Sequence, residues 1–238
     1  DNRGRIVQIN IPSADEKING FEVEYTDIKF YEQKNGLSSA TSQIEMEDET
    51  AAIGRLVNRI SGSLRLTYNP EVQKYIDRYV KQGRRSTSYI LARASYYNPI
   101  FEEALRSYGL PIELKNLPVI ESGLNPKAIS NKGAAGLWQF MPTTGRQYDL
   151  QINTFVDERL DPIKSSYAAA RMLADLYKRF GDWSLVLAAY NCGPGRVSSA
   201  IDKAGTGADF WKIYEFLPKE TRGYVPAFIA ANCVQYIA

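Results

Sequence analysis

The sequence predicts an all-α body preceded by an extended, strand-like arm. Three observations carry that prediction. From Ala51 onward, apolar residues recur at helical spacing almost without a break. Proline and glycine punctuate that stretch where helices start and stop. Before it, Arg5–Ile11 and Phe21–Tyr31 alternate apolar and polar residues, as an extended chain does.

Taken in order, residues 1–52 read as an acidic arm or linker. The alternating runs give way to a polar stretch, Glu32 to Thr50, which ends in Glu45-Met46-Glu47-Asp48-Glu49. Ile53, Leu56, Val57 and Ile60 then open the helical body, residues 53–238. Asn69-Pro70 starts a helix whose face is Val72, Tyr75, Ile76 and Tyr79. Asn98-Pro99 is expected to open another, from Ile100 to Tyr108, stopped by Gly109 and Pro111. A short helix from Ile112 to Ile120 leads into Glu121. Asp161-Pro162 caps a helix to about Phe180, and Asp182 caps the next, through Tyr190. Pro218 and Pro226 are expected to begin the last two.

The 238 residues are 44% hydrophobic and 24% charged, an ordinary globular balance. No apolar run approaches the roughly 20 residues needed to span a bilayer. The net charge of +2 is uneven. The arm carries five basic against eleven acidic residues, and the remainder 24 against 16. A basic body suits an anionic polymer or surface, and equally an ordinary solvated exterior. Short basic runs such as Lys81-Gln82-Gly83-Arg84-Arg85 read as solvated surface, so no nucleic-acid partner is expected.

Histidine is absent. That excludes His-ligated metals, Ser-His-Asp triads and Cys-His pairs, leaving carboxylates, amines and hydroxyls for any hydrolytic chemistry. With no phosphate-cradling loop either, neither metal nor organic cofactor is expected. Cys192 and Cys233 fit no metal spacing. They are either a disulfide or two buried thiols.

The chemistry concentrates between Glu113 and Gly145. Glu121 ends an apolar helix just before a turn, a setting that desolvates a carboxyl and raises its pKa. Soon after comes Ser130-Asn131-Lys132-Gly133-Ala134-Ala135-Gly136-Leu137-Trp138-Gln139-Phe140-Met141-Pro142. Its small residues permit close backbone approach. Its Trp-Gln-Phe-Met cluster offers aromatic surface and an amide, as a sugar needs, or alternatively a tight turn with a core tryptophan. Asp157, Asp161 and Asp182 are rival carboxylates. Asp161 and Asp182 read as helix caps, and Asp157 as the ion-pair partner of Arg159.

Glu121-Ser122, Gly136-Leu137-Trp138-Gln139 and Ala189-Tyr190-Asn191 together resemble the three signature motifs of the family 1 soluble lytic transglycosylase domain. The similarity is greatest to its membrane-bound D-type subgroup and extends over about residues 70–238. Asp157 through Pro162, Leu187 through Gly195 and Leu217 through Pro226 support it. The resemblance implies a lysozyme-like fold, related to goose-type lysozyme, and cleavage of the bond between N-acetylmuramic acid and N-acetylglucosamine in peptidoglycan. It implies that Glu121 is the single acid/base. It further implies that Ser122, Ser130, Gln139, Tyr190, Asn191, Glu220 and Tyr224 bind substrate or shape its groove. A monomer acting on glycan strands in the periplasm or cell envelope is expected, with any lipid anchoring left open. Two alternatives stand beside this reading: a hydrolytic muramidase on the same scaffold, and a catalytically silent wall-binding protein.

Overall fold

The computed structural model describes residues 53–59, 64, 66–205 and 207–237. The expected arm, residues 1–52, lies outside them. Among the described residues the fold is helical, with only isolated bridges joining Ile129 to Ala135, Ala135 to Phe140, and Ile152 to Asp157.

Residues 53–59 form α1 and bury Val57. α2, Pro70–Asp77, starts where Asn69 accepts the Val72 amide on its side chain, with Pro70 at a first-turn position that has no use for an N–H. It runs on through a π turn, Arg78–Gln82. α3 spans Arg84–Ser107 and passes straight through Pro99, so the helix start expected at Asn98-Pro99 does not occur. Proline removes one backbone hydrogen bond and crowds the preceding turn, at about 3 kcal/mol. Burial of Ala94, Phe101, Ala104 and Leu105 on the same helix offsets that cost, and Asn98 Nδ2 donates to Gln235 Oε1 at 3.2 Å.

A 3₁₀ turn, Ile112–Asn116, leads into α4, Leu117–Ser122, and Gly123 ends it in the left-handed region at φ 58°. α5 is Pro142–Gln147. α6, Pro162–Phe180, is capped by Asp161, which accepts the Ile163 and Lys164 amides. α7, Trp183–Cys192, is capped by Asp182, which accepts the Leu185 amide. α8, Pro194–Ala204, and α9, Phe210–Ile213, were not anticipated. α10, Lys219–Ile237, replaces the two terminal helices expected at Pro218 and Pro226. Val225, Phe228, Ile229, Ala230, Ala231 and Cys233 all bury there, so Pro226 is again overridden by packing.

α10 is the hub, packing against α2, α4 and α7, while α6 packs against α3 and α7. Buried alanines at 168–170, 188–189 and 230–231 keep side chains small where these helices meet. Packing around this hub lets α4, α7 and α10 each present one end to the same cleft.

Candidate active site

The cleft encloses about 660 Å³ and takes its walls from α4, the loop 130–141, α7, the start of α8 and the first turns of α10. Such a volume suits an organic ligand of moderate size.

Glu121 lies in the last turn of α4, with Leu117, Pro118 and Val119 buried behind it. Arg93 fixes the end of that helix by donating from Nη1 to the Gly123 carbonyl at 3.1 Å. Tyr224, from α10, donates its hydroxyl to Glu121 Oε1. Burial pushes the Glu121 carboxyl up to about 7; the Tyr224 hydrogen bond opposes the rise and the nearby charge of Glu220 adds to it. Glu121 is therefore poised to give a proton and to take one near neutrality. Burial also holds the hydroxyls of Tyr190 and Tyr224 well above their ordinary pKa, so both remain neutral donors.

The loop 130–141 forms the facing wall, and its shape is dictated by a buried arginine. Arg159 is only 7% exposed, so its guanidinium must be fully engaged. Nε and Nη2 bind the two carboxylate oxygens of Asp157 at 2.9 and 2.7 Å. Nη1 donates to the carbonyls of Gly133 at 2.7 Å and Phe140 at 2.9 Å, clasping both ends of the loop. The Arg159 hydrogen bond holds the Asp157 carboxyl below its usual range. Gly136 has φ 81°, and a Cβ there would stand 1.8 Å from the Arg159 carbonyl oxygen. No other residue fits.

Gln139 also sits in the left-handed region, at φ 48°, an uncommon place for a residue with a side chain. Its Nε2 donates to the carbonyls of Gly136 at 2.8 Å and Ala128 at 3.2 Å, and these bonds fix the side chain against the loop. Among the described residues its Oε1 accepts nothing. Ser130 Oγ accepts the Ala134 amide at 3.0 Å and closes the loop tip. Tyr190 donates to the Trp138 carbonyl at 2.9 Å, tying α7 to this wall. Thr221 donates to Asn191 Oδ1 at 2.8 Å, tying α7 to α10. At the mouth, Lys132 faces Glu220 at 4.0 Å, both well exposed.

Seven of the residues named from sequence thus line one cleft: Glu121, Ser130, Gln139, Tyr190, Asn191, Glu220 and Tyr224. Ser122 does not line it. Its hydroxyl lies 2.9 Å from the Leu137 carbonyl oxygen and 3.0 Å from that of Pro118, joining α4 to the loop behind the cleft wall. Trp138 offers no stacking surface either. It is fully buried, donates Nε1 to Ser166 Oγ at 2.9 Å and meets the Phe101 ring edge-on at 5.2 Å. The core-tryptophan alternative is the one realised. Asp157, Asp161 and Asp182 lie outside the cleft lining. Cys192 and Cys233 are both free thiols, and burial pushes Cys233 up to about 12.

Sequence reasoning missed Tyr75, Met172, Arg196 and Thr221 as lining residues. Tyr75 was legible only as part of a buried helical face. Its signal lay in Gly223, where a Cβ would stand 2.1 Å from the Tyr75 hydroxyl. The glycine in Glu-Thr-Arg-Gly-Tyr marks that close approach.

A helical domain with a proton-active carboxyl in a polar, aromatic cleft falls in the class of lysozyme-like folds. Residues 98–212 match the Transglycosylase SLT domain, which narrows the class: that part of the chain is an SLT domain. Membrane-bound lytic murein transglycosylase D of Escherichia coli K12 is 36% identical over 211 residues, which are 86% of this chain and 44% of the relative. The chain thus spans less than half of that protein's length. Soluble lytic murein transglycosylase of the same strain is 32% identical over 146 residues, 56% of this chain and 22% of the relative. The crystal structure of the 70 kDa soluble lytic transglycosylase from Escherichia coli superposes with a TM-score of 0.53 at 24% identity, covering 76% of this chain and 32% of that one. That likeness places the fold.

Proposed function

We propose that this chain is the catalytic domain of a peptidoglycan lytic transglycosylase, with Glu121 as its single acid/base. The observation that carries the proposal is the buried Glu121 carboxyl, raised to about 7 and held by Tyr224 on the wall of the cleft. The names of the relatives support it, both being murein transglycosylases.

The chemistry rests on one group that exchanges a proton twice. Protonated Glu121 gives its proton to the glycosidic oxygen as the bond from the muramoyl C1 to that oxygen breaks. The substrate's own acetamide carries the positive charge that develops at C1. Glu121, now a carboxylate, takes the proton of the muramoyl C6 hydroxyl as that oxygen closes on C1. No water is consumed, and the product ends in a 1,6-anhydro ring. Intramolecular attack gains an effective molarity that reaches about 10⁵ M in well-oriented cases, so a second catalytic carboxylate is dispensable. Tyr224 acts as a positioning residue, aiming Oε1 and remaining neutral throughout. Gln139 Oε1, Asn191 and the Tyr190 ring supply polar and apolar surface for a sugar unit.

The hydrolytic alternative has one observation in its favour: Glu220 lines the same cleft and could activate water. Its side chain is 76% exposed and faces Lys132, a poorer setting for a base than the desolvated site of Glu121. Digestion of peptidoglycan in H₂¹⁸O separates the two. A lytic transglycosylase leaves new ends free of ¹⁸O, whereas a muramidase places one ¹⁸O at each new reducing end. A silent wall-binding protein releases nothing. Full activity in EDTA is expected, and loss restored by added metal would overturn the cofactor-free mechanism. By the same reading the protein works as a monomer on glycan strands in the cell envelope. No described helix is long and apolar enough to cross a membrane.

A further inference from the structure

The charges of the cleft do not balance locally. Of its two cations, Lys132 faces Glu220 across the mouth, at 4.0 Å. Arg196, in the first turn of α8, has neither an ion pair nor a hydrogen bond among the described residues. It is exposed at the rim, on the same wall as Asn191 and Cys192, and its charge depresses the Cys192 thiol pKa against the rise caused by burial.

An arginine fork left open on a binding surface matches a carboxylate, which it can grip through two parallel N–H donors. A glycan backbone of N-acetylated sugars is uncharged. Its anions are carboxylates on the muramoyl substituent, either those of an attached stem peptide or the lactyl carboxylate exposed when that peptide is removed. The rim position of Arg196 favours the longer substituent, which projects from the strand past the cleft edge. The geometry points to Arg196 as a specificity-determining residue that binds a stem-peptide carboxylate, making the enzyme selective for peptide-bearing strands. This inference rests on the lytic transglycosylase reading.

The test uses three forms of uncrosslinked glycan strand: peptide-bearing, the same with its carboxylates capped as amides, and stripped of peptide by an amidase. For the wild type, kcat/KM on peptide-bearing strands is expected to exceed that on amide-capped strands about tenfold, the scale of one charge-assisted hydrogen bond at a solvated rim. Arg196→Gln should raise KM for peptide-bearing strands by a similar factor with a smaller change in kcat, and erase the difference between the two substrates. Arg196→Lys should restore part of it. High salt should shrink the wild-type preference. A wild type that treats both strands alike, or an Arg196→Gln variant that loses equally on all three, would overturn the assignment. A loss confined to stripped strands would do so as well, by moving the contact to the lactyl carboxylate. Release from no strand by the wild type would remove the functional reading itself, and this inference with it.

Discussion

Glu121 is a residue whose proposed function costs stability. Its folded pKa of about 7 lies above the ordinary 4.5, so the folded state binds the proton more tightly than the unfolded chain. The stability that goes with that proton is fully present below pH 4.5 and is lost as pH rises to about 7. Glu121→Gln keeps the shape and the acceptor for Tyr224 without the buried charge. Urea unfolding at pH 8 should show the variant more stable, by up to roughly 3 kcal/mol, while lytic activity falls by at least about a thousandfold. A variant less stable at pH 8 would contradict the burial argument. For the wild type, kcat/KM should fall as pH rises through about 7, because the acid must start protonated. Tyr224→Phe removes a bond that stabilises the carboxylate, so this alkaline limb should move to higher pH as the rate drops. A limb that stays put would separate Tyr224 from the acid.

At the scale of elements, the loop 130–141 and the two proline-bearing helices are the informative parts. Gly136→Ala forces a Cβ into the Arg159 carbonyl, with backbone on both sides and no flexible atom to yield. A loss of about 3 kcal/mol or more in denaturant unfolding is expected, with activity lost in parallel. Pro99→Ala should instead stabilise α3 by about 1–2 kcal/mol, since it restores the missing backbone bond in a helix already committed to continue. These same elements show what sequence could convey. Asn69, Asp161 and Asp182 announce their helix starts because a cap is a local device, satisfied within three residues. Pro99 and Pro226 misled for the opposite reason: whether a helix survives a proline depends on the long-range burial of Phe101 or Phe228, which local spacing does not encode. The position of Glu121 at the end of an apolar helix was legible because helix and turn are written in adjacent residues, whereas its bond to Tyr224 spans the chain. Which way Ser122 and Trp138 face was not legible, because it is set by distant partners at Leu137 and Ser166.

For the whole molecule, α10 unites what the sequence scatters. It brings Glu220, Thr221 and Tyr224 to a carboxyl about a hundred residues earlier in the chain, and it seats Tyr75 against Gly223 on the same helix. The cleft is thus a junction of α4, α7 and α10, tied by the Tyr224–Glu121, Tyr190–Trp138 and Thr221–Asn191 hydrogen bonds. In the proposed mechanism one carboxyl is enough because the substrate supplies the nucleophile. The direct measurement is the mass of muropeptides released from purified peptidoglycan by the wild type and by Glu121→Gln, side by side. The account predicts fragments ending in anhydromuramic acid, one water lighter than reducing ends, from the wild type and almost none from the variant. Reducing ends from the wild type, or undiminished release by the variant, would contradict it.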